Sequence, residues 1–492
     1  MGLALVAAIT GGTPALAAKA PAPKPAANAT AEAPSNTPAP ASSPDVETLQ
    51  EALISAYVGN PGLQAQRARV RAADETVPQA TAGWKPTVTL TGAWGEDLSK
   101  TQVSTNPQIR VESHPLQAQL QVSQPLFSGG RTFFGMREAK AGVRAARAQL
   151  HSFEQQTLLD AVTQYFNVVR DKASVEISKN NVAVLERELE AAQDRFRVGE
   201  ITRTDVAQAE ARLSLARTGL IAAEAALVAS QTGYASGIGH PPGTLEAQPA
   251  LPPLPESEIS AQAIAARNNP TLVAAIETQK ASSAATSQAW GALLPSVSVV
   301  GTANYAETES AQSVLDPFGT PTIVTLPIKR RDESVLLQAR VPIYQAGAEY
   351  ATIRQAKQTD SQNRLTVAQT KRDLDEQVAN AWEGLRSAKA SIASNQQQVN
   401  ANEIAYEGVK QEAEVGSRTT LDVLNAEQEL LNSRLSLVRS QRDEYGAAYG
   451  LLAAIGQLTA KDLKLPVKIY DPKANQRSLV FKQFWPGTRT KD

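Results

Sequence analysis

The chain contains no cysteine, and only three histidines occur in its 492 residues. The first absence excludes disulfides, thiolate metal sites, cysteine nucleophiles and a lipid-modified N-terminal cysteine. The second, with His114, His151 and His240 far apart, leaves no basis for a His-rich metal centre within one chain. No Ser-His-Asp set, HExxH motif or phosphate loop is visible, so neither catalysis nor a cofactor is expected. Net charge is −1, from 48 basic and 49 acidic side chains, which argues against a nucleic-acid partner. Aromatics make up 5%, few for a globule with one large core, and this favours an elongated or thin-walled shape. Past the N-terminal run, no stretch reaches 18 consecutive apolar residues, so no transmembrane helix is expected in the mature chain.

Residues 1–17 form an apolar run that ends in Ala15-Leu16-Ala17, a small-x-small cleavage pattern, and read as a signal peptide. The first basic residue is Lys19, so a charged n-region would have to lie upstream. Residues 18–46, rich in Pro and Ala, read as a disordered tether. A Pro-rich linker at 246–256 separates a first repeat, 47–245, from a second, 257–459, and 460–492 form a tail.

The repeat is the most informative feature. Asn60-Pro61 followed by Pro86 recurs as Asn269-Pro270 followed by Pro295, an offset of 209 positions. Further on the offset is 217. Gln124-Pro125-Leu126-Phe127-Ser128-Gly129-Gly130 matches Val341-Pro342-Ile343-Tyr344-Gln345-Ala346-Gly347, and Val198-Gly199 with Thr202 and Asp205-Val206 matches Val415-Gly416 with Thr419 and Asp422-Val423.

Within each copy the hydrophobic period switches. Val88, Leu90 and Trp94 alternate with threonines, and Leu116, Ala118, Leu120 and Val122 alternate with Gln and Ser. Val297, Val299 and Ala303, then Val335, Leu337 and Ala339, repeat the pattern. These predict four strands of about ten residues, joined in pairs by polar loops at 97–114 and 306–332, with the length of membrane β-strands. An ordinary half-buried hairpin would give the same alternation.

A long helix follows each strand pair. From Arg131 to Val198 there is no proline, and Leu158, Val162, Tyr165 and Val169 keep the narrow 4-3-4 spacing of a coiled-coil stripe. Such a helix spans ~100 Å. Gly199 and Gly416 end the long helices, and returning helices of about half the length follow. Four strands cannot close a barrel, and an open edge in lipid leaves backbone groups unpaired. If the strands lie in a membrane, several chains share one barrel.

On the Gln124–Gly130 motif and the two Val-Gly-x-x-Thr-x-x-Asp-Val turns, the sequence resembles the TolC-like outer-membrane efflux proteins over about residues 47–460. The tail, with Tyr470-Asp471-Pro472, Asn475 and Trp485, is similar to the type I secretion branch of that family. The resemblance implies a mainly α fold with a membrane β-barrel part: β-hairpins and very long antiparallel helices in tandem, forming a shared twelve-stranded barrel and a helical barrel in a homotrimer. It implies a passive outer-membrane channel with a long periplasmic extension. Such a channel serves efflux or type I secretion and docks to a periplasmic adaptor and an inner-membrane ABC or RND-type transporter. A soluble periplasmic coiled-coil adaptor is the rival reading; it would not need the four amphipathic strands.

The same resemblance puts Asp422 on the periplasmic aperture, with Asn425 where a second acid is common. It makes Arg418 a tip-gate residue that meets Thr204 and Asp205, with Ala413 in place of an aromatic gate residue. The residues themselves offer a plainer reading, in which Thr202/Asp205 and Thr419/Asp422 are helix caps and Arg418 is a solvated charge. Trp94, Phe127 and Tyr344 at strand ends suit an interfacial aromatic belt facing lipid. Phe133-Phe134 fits that belt or ordinary junction packing equally.

Overall fold

In the computed structural model, residues 46–101, 109–315, 318 and 320–479 are described. The signal-peptide and tether segments, position 104 in the first hairpin loop, and Trp485 lie outside them. Three short helices open the first copy: α1 (Leu49–Gly59), α2 (Pro61–Asp74) and α3 (Thr76–Thr81). The break between the first two is local chemistry. Asn60 accepts from Leu63 N–H at 3.0 Å and caps α2, while Pro61 fills the first helical position, where no donor is needed. Asn269 does the same for the second copy's helix Pro270–Trp290, accepting from Thr271 and Leu272 N–H at 2.9 and 3.2 Å. This explains the repeated Asn-Pro.

Strands β1 (Thr87–Trp94), β2 (Asp97–Thr101) and β3 (Ile109–Ser128) follow, then α4 (Arg131–Arg197) and α5 (Arg203–Ile238). The second copy has α6 (Glu258–Asn268), α7 (Pro270–Trp290), β4 (Ser296–Leu315), β5 (Pro321–Arg340), α8 (Ala348–Glu414) and α9 (Thr420–Ala454). A short α10 (Ala474–Leu479) lies in the tail.

All strands join one antiparallel sheet in the order β1-β3-β4-β5, with β2 extending beside β3 beyond β1. Among the described residues β1 and β5 each have a partner on one side only. The strands differ from expectation: β3, β4 and β5 run for 20 residues each, so most of the two expected loops is ladder. Backbone pairing continues where side chains are polar on both faces, and there the alternation that marks a membrane strand is absent. Val88, Leu90 and Trp94 stand opposite Val122, Leu120 and Leu116 and are exposed, an apolar face that none of the described residues covers. Toward its loop the second hairpin carries charge instead, with Lys329 paired to Glu307 at 2.8 Å.

The motif at the sheet–helix junction has a backbone role. β3 bulges between Pro125 and Phe127, then Gly129 (φ +65°) and Gly130 (φ +78°) turn the chain into α4. In the second copy Ala346 and Gly347 take the matching conformations, φ +51° and +83°. Only glycine fits at 129 for a second reason: a Cβ there would lie 2.4 Å from the Gly291 carbonyl oxygen.

Helices α4 and α8 have 67 residues each, or ~100 Å at 1.5 Å per residue. Near the sheet α4 packs on α2, α3 and α7, with Arg147 paired to buried Asp74 at 2.7 Å and Arg144 to Glu277 at 2.6 Å. Farther out it packs on α5 and α9. The main core sits midway, where Leu158, Val162, Tyr165, Tyr234, Leu451 and Ile455 are buried together and Tyr165 donates to the Glu47 and Glu246 carbonyls at 2.9 and 3.0 Å. One helix among the described residues, α5, is long and apolar enough to cross a membrane by length and composition.

Candidate functional site at the helical tips

Both long helices end at a left-handed glycine, Gly199 at φ +82° and Gly416 at φ +79°. Open space surrounds both, so backbone conformation alone accounts for glycine there. Three residues on, each returning helix opens with a capping box. Asp205 N–H donates to Thr202 Oγ1 at 3.3 Å, and Thr202 N–H donates back to Asp205 Oδ2 at 2.9 Å. Thr419 and Asp422 repeat this at 3.3 and 3.1 Å. Each Thr hydroxyl also donates to its partner's carboxylate at 2.8 Å. The Thr419 hydroxyl, its backbone N–H and then the Arg418 charge hold the Asp422 carboxyl below the usual aspartate range.

The two turns lie at the same end of the molecule. Arg212 on α5 donates to Asn425 Oδ1 on α9 at 2.8 Å, and Leu185, Leu213 and Leu424 bury one another across α4, α5 and α9. Asn425 is therefore engaged by its own chain's first copy. Arg418 is exposed and pairs with Glu412 of its own helical hairpin at 2.8 Å, which raises the Arg418 pKa. Thr204 is exposed beside Asp205, and within the single chain neither is brought to Arg418.

Two participants escape a sequence reading. Glu412 precedes Arg418 by six positions across the glycine turn, a spacing that matches no helical neighbour rule. Arg212 and Asn425 stand 213 positions apart, and only the packing of one hairpin on the other joins them. Glu427 on α9, the counterpart of Glu210 in the repeat, is buried beside the tip with no hydrogen-bond partner at Oε2, a burial that spacing alone does not announce.

The aromatic residues sit at two levels of the sheet. Trp94 stands opposite Leu116, while Phe127 lies eleven positions further along β3. At ~3.3 Å per residue that is roughly 36 Å along the strand. Tyr344 follows the end of β5, at the helix side of the sheet, and is 83% exposed. Phe133 and Phe134 pack edge to face at 5.3 Å inside the first turn of α4, with Phe133 exposed. From the tail, Tyr470 joins Tyr57 of α1 around the Arg67 guanidinium, at 5.2 and 4.7 Å, and Asn475 reaches Asp74 at 3.4 Å. No group of residues suited to hold a metal ion occurs among the described residues.

The chain matches the family model for outer membrane efflux proteins over residues 52–240 and 263–457. It is 33% identical to the outer membrane efflux protein BepC of Brucella suis over 446 residues, covering 91% of this chain and 93% of that one. The outer membrane protein TolC of Vibrio cholerae is 24% identical over 429 residues, covering 85% and 92% of the two chains. Among solved structures, the Campylobacter jejuni CmeC outer membrane channel superposes with a TM-score of 0.71 at 15% identity, covering 89% of both chains.

Proposed function

This chain belongs to the outer membrane efflux protein family, and from that premise we propose that three copies of it share one barrel and one periplasmic tunnel. The protein is an outer-membrane channel with a long periplasmic extension, a passive exit duct for efflux or type I secretion. The rival reading as a soluble coiled-coil adaptor is set aside: the family is one of channels, and a membrane-type sheet caps the helices.

The observation that supports a shared barrel is the open-edged sheet. In lipid each unpaired backbone donor or acceptor costs several kcal/mol, so β1 of one copy pairing with β5 of the next removes the edge. Four strand positions per chain give twelve from three copies. The helices point the same way. Ile221, Ala225 and Val228 on α5, spaced 4 and 3, form an exposed apolar stripe that a neighbouring copy would cover. Trp94 on one side, with Phe127 and Tyr344 on the other, suit the two lipid interfaces: strands tilted about 40° reduce 36 Å to a height near the apolar band of such barrels.

At the far end, three Asp422 carboxylates would ring the entrance, favouring cations. Arg418 has a choice of partners, Glu412 of its own hairpin or Thr204 and Asp205 of a neighbour. Exchange between them would accompany opening. Asn425 adds no charge to that ring. As a passive duct of this family, it works with partners that supply the energy, a periplasmic adaptor and an inner-membrane ABC or RND-type transporter. Fractionation and planar-bilayer recording test the reading together. The protein should extract from outer membranes only with detergent and should conduct; a soluble, non-conducting protein would overturn it.

A further inference from the structure

Glu427 lies on α9 one and a half turns from Asp422. It is 6% exposed, and its Oε2 is buried without a hydrogen-bond partner. It lines a partly open cavity of about 260 Å³ between α4, α8 and α9, beside Val184, Tyr406 and Leu430. We propose that Glu427 is a proton-binding site that locks the tip: protonated, it keeps α9 seated on α4 and α8, and ionised, it forces them apart and releases the aperture. This rests on the channel reading above and adds its regulation.

The groups around it decide the sign. From α4, Glu188 opposes ionisation and Arg187 favours it; from α8, Lys410 favours it. Glu403 and Glu407 of α8 also line the cavity, and Arg434, the cation of α9 there, is held by Glu403 at 2.8 Å. From α5, Arg212 is held by Asn425. Lys410 and Arg187 act on Glu427 only through space, and among the described residues no cation pairs with it directly. Burial first, and Glu188 second, raise its pKa from 4.5 to about 7. The packed tip holds the proton more tightly than a solvated tip does. Packing is therefore strongest at low pH, weakens as pH rises from the ordinary carboxylate range to about 7, and levels off above. The shift allows a change in tip equilibrium of up to roughly two orders of magnitude per chain. Asp422 is lowered, so it titrates below this window. The three histidines lie on β3, in the sheet-side half of α4 and after the far end of α5.

Hydrogen exchange of residues 420–434 in the detergent-solubilised full-length protein tests the switch, after correction for the chemical exchange rate. Protection at pH 5 should exceed that at pH 8 by at least tenfold. Glu427→Gln, and the apolar Glu427→Met, should show high protection at both, while Glu407→Gln keeps the wild-type difference. Equal wild-type protection at both pH values, or a difference that survives in both Glu427 variants, overturns the proposal. Bilayer conductance should rise over the same range in the wild type and not in Glu427→Gln. An exchange step in a protein that forms no pore upholds the proton switch and overturns the channel reading instead.

Discussion

Arg212 and Asn425, 213 positions apart, meet through a 2.8 Å hydrogen bond that ties α5 of the first copy to α9 of the second. The contact sits about one turn past the Thr419/Asp422 box on α9 and about two turns past the Thr202/Asp205 box on α5, where the hairpins would have to separate for the entrance to widen. A hydrogen bond from a charged donor at a partly exposed site contributes about 1 kcal/mol. Arg212→Ala should therefore raise the basal open probability in planar bilayers about fivefold while the assembly stays intact. An unchanged open probability would reduce this bond to a surface contact.

Asp422→Asn should lower cation preference in the same recordings without unfolding the protein, because Asn still caps a helix. Asp205→Asn, on α5 of the first copy, should change selectivity much less, because the proposed ring is built from Asp422. The hydrogen bonds from Thr419 hold Asp422 below the usual aspartate range. Its charge and its cap therefore persist through mild acid and are lost only as pH falls through that lowered value. Equal selectivity changes in the two variants would reject the assignment of the charged ring to Asp422.

Both caps are legible in sequence, because Gly, then Thr, then Asp at fixed spacing is a local code, and the duplication repeats it. The strand pattern is legible only where one face is apolar: Leu116 to Val122 announce β3, and its polar half announces nothing. The Arg212–Asn425 bond and the burial of Glu427 come from packing one hairpin on another, which no local spacing encodes. The sheet edges are legible by counting, since four predicted strands cannot close.

Thr320 lies between β4 and β5, at the end of the sheet away from the helices. In the cysteine-free chain, Thr320→Cys should react with a membrane-impermeant thiol reagent on intact cells. Reaction only after outer-membrane disruption would invert the topology.

Gly129 and Gly199 both adopt positive φ, yet substitution should affect them unequally. Gly199→Ala meets open space and should cost only the left-handed penalty, ~1 kcal/mol. Gly129→Ala places a methyl 2.4 Å from the Gly291 carbonyl oxygen and should cost more than ~2 kcal/mol. Thermal unfolding of the purified variants checks the order; equal losses would show that the junction yields.

The central claim is that one chain supplies an incomplete barrel whose β1 and β5 edges are closed by other copies. Native mass measurement of the detergent-solubilised protein tests it most directly, with β content followed by circular dichroism on the same sample. A mass three times that of the mature chain is expected. A stable monomer with its full β content would contradict it.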